Sequence, residues 1–135
     1  MSVPRISRTF LGTPRSIAEA RHFVNAMLNG WPEAPDAALI VSELATNAVR
    51  HSQSARTGGR FTVSIQITTD RLWLGVQDEG GPSLPQASPP HPDEENGRGL
   101  LLVTELAAKW GVTGDHHGRT VWALLELLPK SAIQP

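Results

Sequence analysis

A segment rich in proline and glycine, residues 79–97, constrains the fold of this chain more than any other feature. Eight of its residues are proline or glycine, and three acidic residues follow one another at 93–95. Proline lacks a backbone N–H and clashes with the preceding helical turn, so such a segment suits neither a helix interior nor a central strand. We predict a loop over 79–97, and a loop of this length inside a compact domain is usually a lid or a disordered excursion.

The chain before this loop carries patterns for a strand, two helices and a hairpin. Weak alternation predicts the strand, helical spacing of apolar residues predicts the helices, and strict alternation predicts the hairpin. Thr13-Pro14 is a helix-start signal, since a capping hydroxyl precedes a proline whose missing N–H costs nothing there. In chain order the elements are an edge strand at 4–12, a helix from Thr13-Pro14 to Asn29-Gly30, a helix at 35–51, and hairpin strands at 61–68 and 72–76.

The chain after the loop predicts a short helix at 99–108, a strand at 110–113, a hairpin loop at 114–118 and a strand at 119–127. The last strand is apolar on both faces, which indicates a central or well-covered position. Strands outnumber helices and lie mostly in hairpins. We therefore predict one α+β domain over residues 1–135, with helices on one face of a mixed, mostly antiparallel sheet.

Composition excludes several classes of protein. The 135 residues include no cysteine, which removes disulfides, thiol nucleophiles and cysteine-ligated zinc. Twelve basic and thirteen acidic residues give a net charge of −1, so there is no general electrostatic reason to bind nucleic acid. No apolar run reaches membrane-spanning length, and Met1 to Thr13 lacks the apolar core of a signal peptide. We expect a soluble cytoplasmic protein.

Polar residues gather on one side of the helix at 35–51. Glu43 and Asn47 are one turn apart, Arg50 falls on the same side, and Asp36 lies near them at about 100° per residue. Periodicity alone favours a solvated face opposite the buried stripe, which is formed by Ala37, Val41, Leu44, Ala45 and Ala48. However, asparagine is a poor helix former, and an amide oxygen beside a carboxylate can coordinate Mg²⁺.

Asp78 and Gly80 follow the second hairpin strand, where an apolar run ends and glycines begin. An aspartate at a strand end is usually part of a turn. The functional alternative is a carboxylate directed into a pocket, where it accepts a hydrogen bond from an amine such as that of adenine. A glycine beside it lets a ligand approach closely.

Gly97, Arg98, Gly99 and Leu100 open the short helix after the loop. Exposed N–H groups at a helix N-terminus favour phosphate, whereas the simpler interpretation is a flexible junction between loop and helix. A dinucleotide-binding fingerprint does not fit, since Leu102 occupies its third glycine position and no strand immediately precedes. A Walker A motif is also absent.

The order and spacing of these segments resemble the GHKL ATPase/kinase superfamily and its Bergerat fold, over about residues 10–127. Glu43 to His51 resembles the N-box, Asp78-Glu-Gly80 the first glycine box, and Gly97-Arg-Gly99-Leu100 the second. Gly118-Arg-Thr120-Val121 resembles the late strand whose threonine lies near the adenine. Within the superfamily the chain is most similar to the anti-sigma factor serine/threonine kinases of the actinobacterial branch.

The resemblance implies ATP and Mg²⁺ as cofactors and a role for each matching residue. Glu43 would be the general base, Asn47 would ligate Mg²⁺, and Asp78 would accept from adenine with help from Thr120 through water. Gly80 would let the adenine ring approach closely, and residues 81–96 would be the ATP lid. Backbone N–H groups would hold the phosphates. The remaining ATP-binding positions implied by the matching boxes are Arg50, His51, Gly97, Arg98, Gly99 and Leu100.

The resemblance also implies a regulatory kinase that phosphorylates a serine on an anti-anti-sigma protein and holds a sigma factor inactive. Such proteins commonly dimerise through the N-terminal strand and first helix. A second function stays open, a non-catalytic, ATP-gated module that sequesters a transcription regulator. Two departures favour it, since Pro82 ends the first glycine box and the lid contains no lysine.

Overall fold

A computed structural model describes residues 4–51, 59–80, 95–115 and 117–128, excluding the side chains of His51 and residues 95–99. The chain forms five strands and three helices within these ranges. In chain order they are β1 (Arg5–Leu11), α1 (Pro14–Met27), α2 (Ala34–His51), β2 (Arg60–Ile67), β3 (Arg71–Asp78), α3 (Glu95–Leu106), β4 (Lys109–Asp115) and β5 (Gly118–Glu126).

The strands form one sheet in the order β1-β2-β3-β5-β4. The α+β fold predicted from sequence is confirmed, and each neighbouring pair of strands in the described ranges is antiparallel, where a mixed, mostly antiparallel sheet was expected. β1 is at an edge, as its weak alternation predicts. β5 lies between β3 and β4, which explains a sequence that is apolar on both faces.

One face of the sheet, here called the inner face, packs against the helices. The alternating residues of β2 and β3 that point to this face are almost fully buried, and α2 contacts β2, β3 and β5. α1 packs along α2 and reaches β1. The largest fully buried side chains include Phe61, Leu28, Ile40, Leu44, Ile65, Leu72, Leu74 and Leu100.

The opposite face, here called the outer face, carries tryptophans that lie over glycines. The Trp73 ring covers Gly75, and the Trp122 ring covers Gly111 on the neighbouring strand, so a Cβ on either glycine would clash with an indole. Arg5 lies 4.4 Å from the centroid of the Trp73 ring. Trp73 and Trp122 are only half-buried.

Several boundaries differ from the sequence predictions, and two of the differences bear on the site. α3 begins at Glu95, so residues 95–97 are helical where a loop was expected. Acidic residues such as Glu95 are favoured in the first helical turn, and the helix accommodates both Gly97 and Gly99. The predicted lid at 81–96 otherwise falls on residues outside the described ranges. The predicted hairpin loop at 114–118 is also shorter, since Asp115 pairs with Gly118 across the β4–β5 ladder.

No helix in the described part of the chain has the length and apolar character needed to cross a membrane.

Replacing Gly114 with alanine is expected to lower the free energy of unfolding by about 2–4 kcal/mol. Gly114 has a φ of +96°, and a Cβ there would collide with the carbonyl oxygen of Gly118. Urea unfolding measures the change. Gly30→Ala is the matched control, because φ is +88° but a Cβ would meet no described atom within 4 Å. The control should lose only about 1–2 kcal/mol, and equal losses would contradict the collision.

Candidate functional site

The second half of α2 carries the first part of the site. The predicted stripe of Ala37, Val41, Leu44, Ala45 and Ala48 is buried. Asn47 is buried as well, with 7% of its surface exposed, while Glu43 one turn earlier is half-buried and Arg50 is exposed. A solvated face is therefore wrong for Asn47. α2 contacts α1, the sheet and α3. These neighbours cover more of the helix surface than the predicted stripe alone.

The side-chain oxygen of Asn47 is the most informative atom in this half of the helix. It is inaccessible to solvent and has no hydrogen-bond partner among the described residues. Leaving a buried acceptor unsatisfied costs about 1–3 kcal/mol, so the position is unfavourable for stability alone. An orphaned amide oxygen one turn from a carboxylate is suited to accept a ligand or a hard cation.

Mg²⁺ fits this donor set only with help from a ligand. The described residues contain no cluster of three or more histidine, cysteine, aspartate or glutamate side chains that could hold a metal. Mg²⁺ at phosphate sites is usually bound by one or two protein oxygens, with phosphates and water completing the octahedron. The Asn47 oxygen meets that requirement.

Asp78 is the last residue of β3, and its carboxylate is buried with 8% of the residue exposed. Its Oδ1 accepts a hydrogen bond of 2.6 Å from the N–H of Gly80. Gly80 has a φ of +82°, a conformation that favours glycine. Burial raises the pKa of Asp78, and the Gly80 N–H, the Arg119 charge and the Arg119 N–H oppose that rise. The site thus holds a desolvated acceptor at a strand end.

Arg119 is a site residue that sequence reasoning missed. It stands directly opposite Asp78 in the β3–β5 ladder and is only 5% exposed. Both side chains belong to the inner face, since Arg119 alternates in phase with the buried residues Val121 and Ala123. The signal was present in the strand's alternation, but a strand that is apolar on both faces does not reveal which residues face the helices.

Thr120 does not join this site, which corrects its predicted place beside the adenine. It pairs with Gln77 and Thr113, both exposed residues of the outer face. Successive side chains of a strand point to opposite faces, so Thr120 and Asp78 are on opposite sides of the sheet. The β5 side chain nearest Asp78 is therefore Arg119.

The start of α3 carries the predicted phosphate-binding amides. The first four N–H groups of a helix have no partner within it, and here they belong to residues 95–98. The amides of Gly97 and Arg98 lie in this first turn, and their contact with phosphate stays a prediction, whereas the amides of Gly99 and Leu100 fall inside the helical hydrogen-bond pattern. The Leu100 side chain is in the core at 1% exposure.

A side-chain bridge holds α3 against β4. The indole N–H of Trp110 donates to the Thr104 hydroxyl at 2.7 Å, and that hydroxyl donates to the Leu100 carbonyl at 2.9 Å. α2 contacts both β3 and α3, so it joins the elements that carry Asp78 and the helix N-terminus. His51 ends α2, and its side chain lies outside the described part.

Known proteins with the same fold were found among solved structures. The RsbU and RsbW domains of Rv1364c from Mycobacterium tuberculosis match with a TM-score of 0.69 and 18% identity, over 92% of this chain and 32% of that one. The histidine kinase domain from the Erythrobacter litoralis EL346 blue-light activated histidine kinase matches with a TM-score of 0.53 and 22% identity, over 84% and 64%. No curated protein matches the sequence significantly.

The chain spans about a third of the Mycobacterium tuberculosis structure, and at these identities both likenesses show the fold alone. A family model of the histidine kinase-like ATPase domain matches residues 10–125, which include α2, β3, α3 and nearly all of β5. This match confirms the resemblance to the GHKL superfamily. The chain belongs to the histidine kinase-like ATPase domain family.

Proposed function

We propose that this protein is a cytoplasmic, Mg²⁺-ATP-dependent serine/threonine kinase that acts as an anti-sigma factor and phosphorylates a serine of an anti-anti-sigma partner. The observation that carries the proposal is the buried oxygen of Asn47, one helical turn after Glu43, which has no hydrogen-bond partner among the described residues. A structural asparagine would have a partner for that oxygen. Family membership supports ATP as the ligand.

Each part of the site has a task in this reaction. Asp78 accepts a hydrogen bond from the adenine amino group, and the amides in the first turn of α3 receive phosphate oxygens. Asn47 would hold Mg²⁺, and the chemistry that this ion would supply is neutralisation of phosphate charge. Glu43 takes the proton of the serine hydroxyl while the serine oxygen attacks the γ-phosphorus. The bond between the γ-phosphorus and the β–γ bridging oxygen breaks, and ADP is released.

The regulatory part of the proposal has two supports. The sequence is most similar to the anti-sigma factor kinases, and the fold is similar to a structure that contains an RsbW domain. The proposal includes a homodimer formed through β1 and α1. β1 is an edge strand, and Ile6 and Leu11 on it are 40% and 57% exposed. Light scattering of the purified protein tests the dimer, and a monomeric mass would exclude it.

The alternative function is an ATP-gated module that sequesters a regulator without phosphorylating it. Pro82 and the absence of lysine from residues 81–96 favour this alternative. Incubation with labelled ATP and a candidate anti-anti-sigma protein separates the two functions. Label on a serine of the partner supports the kinase, whereas bound ATP without transfer supports the module.

Replacing Asp78 with asparagine is expected to weaken ATP binding by about 10–100-fold. The Gly80 N–H donates to Asp78 Oδ1, so the amide oxygen would keep that place and its NH₂ group would face the adenine amine, donor against donor. Calorimetry measures the affinity. Asp70→Asn is the control, because the Asp70 carboxylate accepts from the Thr68 hydroxyl in the β2–β3 turn, at the other end of β3 from Asp78. Equal effects of the two substitutions would place the adenine elsewhere.

A further inference from the structure

Arg119 is a buried cation that has no task in the proposed reaction. Its side chain shares the inner face with Asp78, directly across the β3–β5 ladder. Burying a guanidinium is costly unless an opposite charge and hydrogen bonds compensate for the lost water. The position therefore calls for an explanation beyond packing.

The groups that act on Asp78 fall into two sets. Burial and the Glu79 carboxylate favour its neutral form, while the Gly80 N–H and the side chain and N–H of Arg119 favour its charged form. Glu79 Oε1 in turn accepts from the N–H of Arg60 on β2. On the second half of α2, the buried polar residue is Asn47, which does not titrate, and the charged residues are Glu43 and Arg50. Arg119 is thus the cation that acts on the Asp78 carboxylate.

The charge of Asp78 decides what it can bind. A carboxylate only accepts hydrogen bonds, whereas a protonated carboxyl group also donates one. Adenine presents an amino group, and Oδ1 of Asp78 already accepts from the Gly80 N–H. A proton on Oδ2 would set a donor against that amino group, so the charged form binds adenine better. A carboxyl group this deeply buried tends to keep its proton unless a nearby cation opposes that tendency.

We propose that Arg119 is a positioning residue whose guanidinium, across the strand pair from Asp78, keeps that carboxylate charged and directed to accept from the adenine amino group. The inference rests on the proposed function, in which Asp78 binds adenine. In this role Arg119 is the β5 residue that contributes to the adenine site, which Thr120, on the outer face, does not do.

Two measurements on Arg119→Met and Arg119→Lys test this role. Carbon-13 NMR of the Asp78 carboxyl group follows its titration without nucleotide, and calorimetry follows ATP affinity between about pH 5.5 and about pH 8. Arg119→Met should raise the pKa of Asp78 above its wild-type value. The ATP affinity of Arg119→Met should therefore fall more steeply than that of the wild type as the pH decreases, because more of the carboxyl group is protonated. Arg119→Lys should restore most of the wild-type profile, and Thr120→Val should leave it unchanged.

An unchanged Asp78 titration in folded Arg119→Met would overturn the inference. If that variant does not fold, Arg119→Gln, which removes the charge but keeps hydrogen-bond donors, is subject to the same criterion. The NMR titration needs no ligand, so it judges Arg119 separately from the proposed function. A wild-type protein that binds no ATP would instead end the proposed function, whatever the titration shows.

Discussion

Replacing Glu43 with alanine is expected to slow phosphate transfer to the partner by about 10²–10⁴-fold, while ATP affinity stays within about threefold of the wild-type value. Glu43 is half-buried on α2, one turn before Asn47, the proposed Mg²⁺ ligand. A base in this place acts on the attacking hydroxyl and contributes little to holding the nucleotide. Single-turnover transfer of labelled phosphate gives the rate, and calorimetry gives the affinity.

Asp36→Asn is the control for Glu43. Asp36 is an exposed carboxylate in the first turn of the same helix, so its loss changes the charge of α2 without reaching the site. This variant should transfer phosphate at the wild-type rate. A wild-type rate for Glu43→Ala would show that Glu43 is not the base.

Replacing Asn47 with alanine is expected to weaken ATP binding in the presence of Mg²⁺ by about 100-fold. Without Mg²⁺ the variant and the wild type should bind ATP with similar affinity, because the lost oxygen acts on the cation. The free energy of unfolding should stay the same or rise by up to about 1 kcal/mol. Alanine is the better helix former, and the buried oxygen it removes has no described partner.

Thr46→Ala gives the matched comparison for Asn47. Thr46 is the preceding residue, and its hydroxyl donates to the Ser42 carbonyl at 2.7 Å. Calorimetry should find normal Mg²⁺-dependent binding in this variant. If Asn47→Ala lost about 2 kcal/mol of stability or more and bound Mg²⁺-ATP normally, Asn47 would be a structural residue.

The sequence predicts the elements well because their patterns are local. Helical spacing places the buried stripe of α2, and strict alternation places β2 and β3 as a hairpin. The burial of Asn47 does not follow from such patterns. α2 contacts helices on two sides as well as the sheet, and periodicity within one helix cannot show how many neighbours surround it.

The β5 part of the site shows a second limit of sequence reasoning. Arg119 and Thr120 are adjacent, and the register with β3 alone decides which of them shares a face with Asp78. A shift of one residue exchanges the two faces, and a strand with apolar residues on both faces does not fix that choice. The predicted start of α3 was wrong for a different reason, because Gly97 indicated a loop although the helix runs through it.

Calorimetric titration of the purified protein with ATP and with ADP, each with and without Mg²⁺, tests the central claim most directly. If Asp78, Asn47 and the start of α3 surround one nucleotide, each chain should bind one molecule of either nucleotide, and Mg²⁺ should tighten the binding. Absence of binding heat for both nucleotides, confirmed by an unchanged melting temperature, would contradict the account.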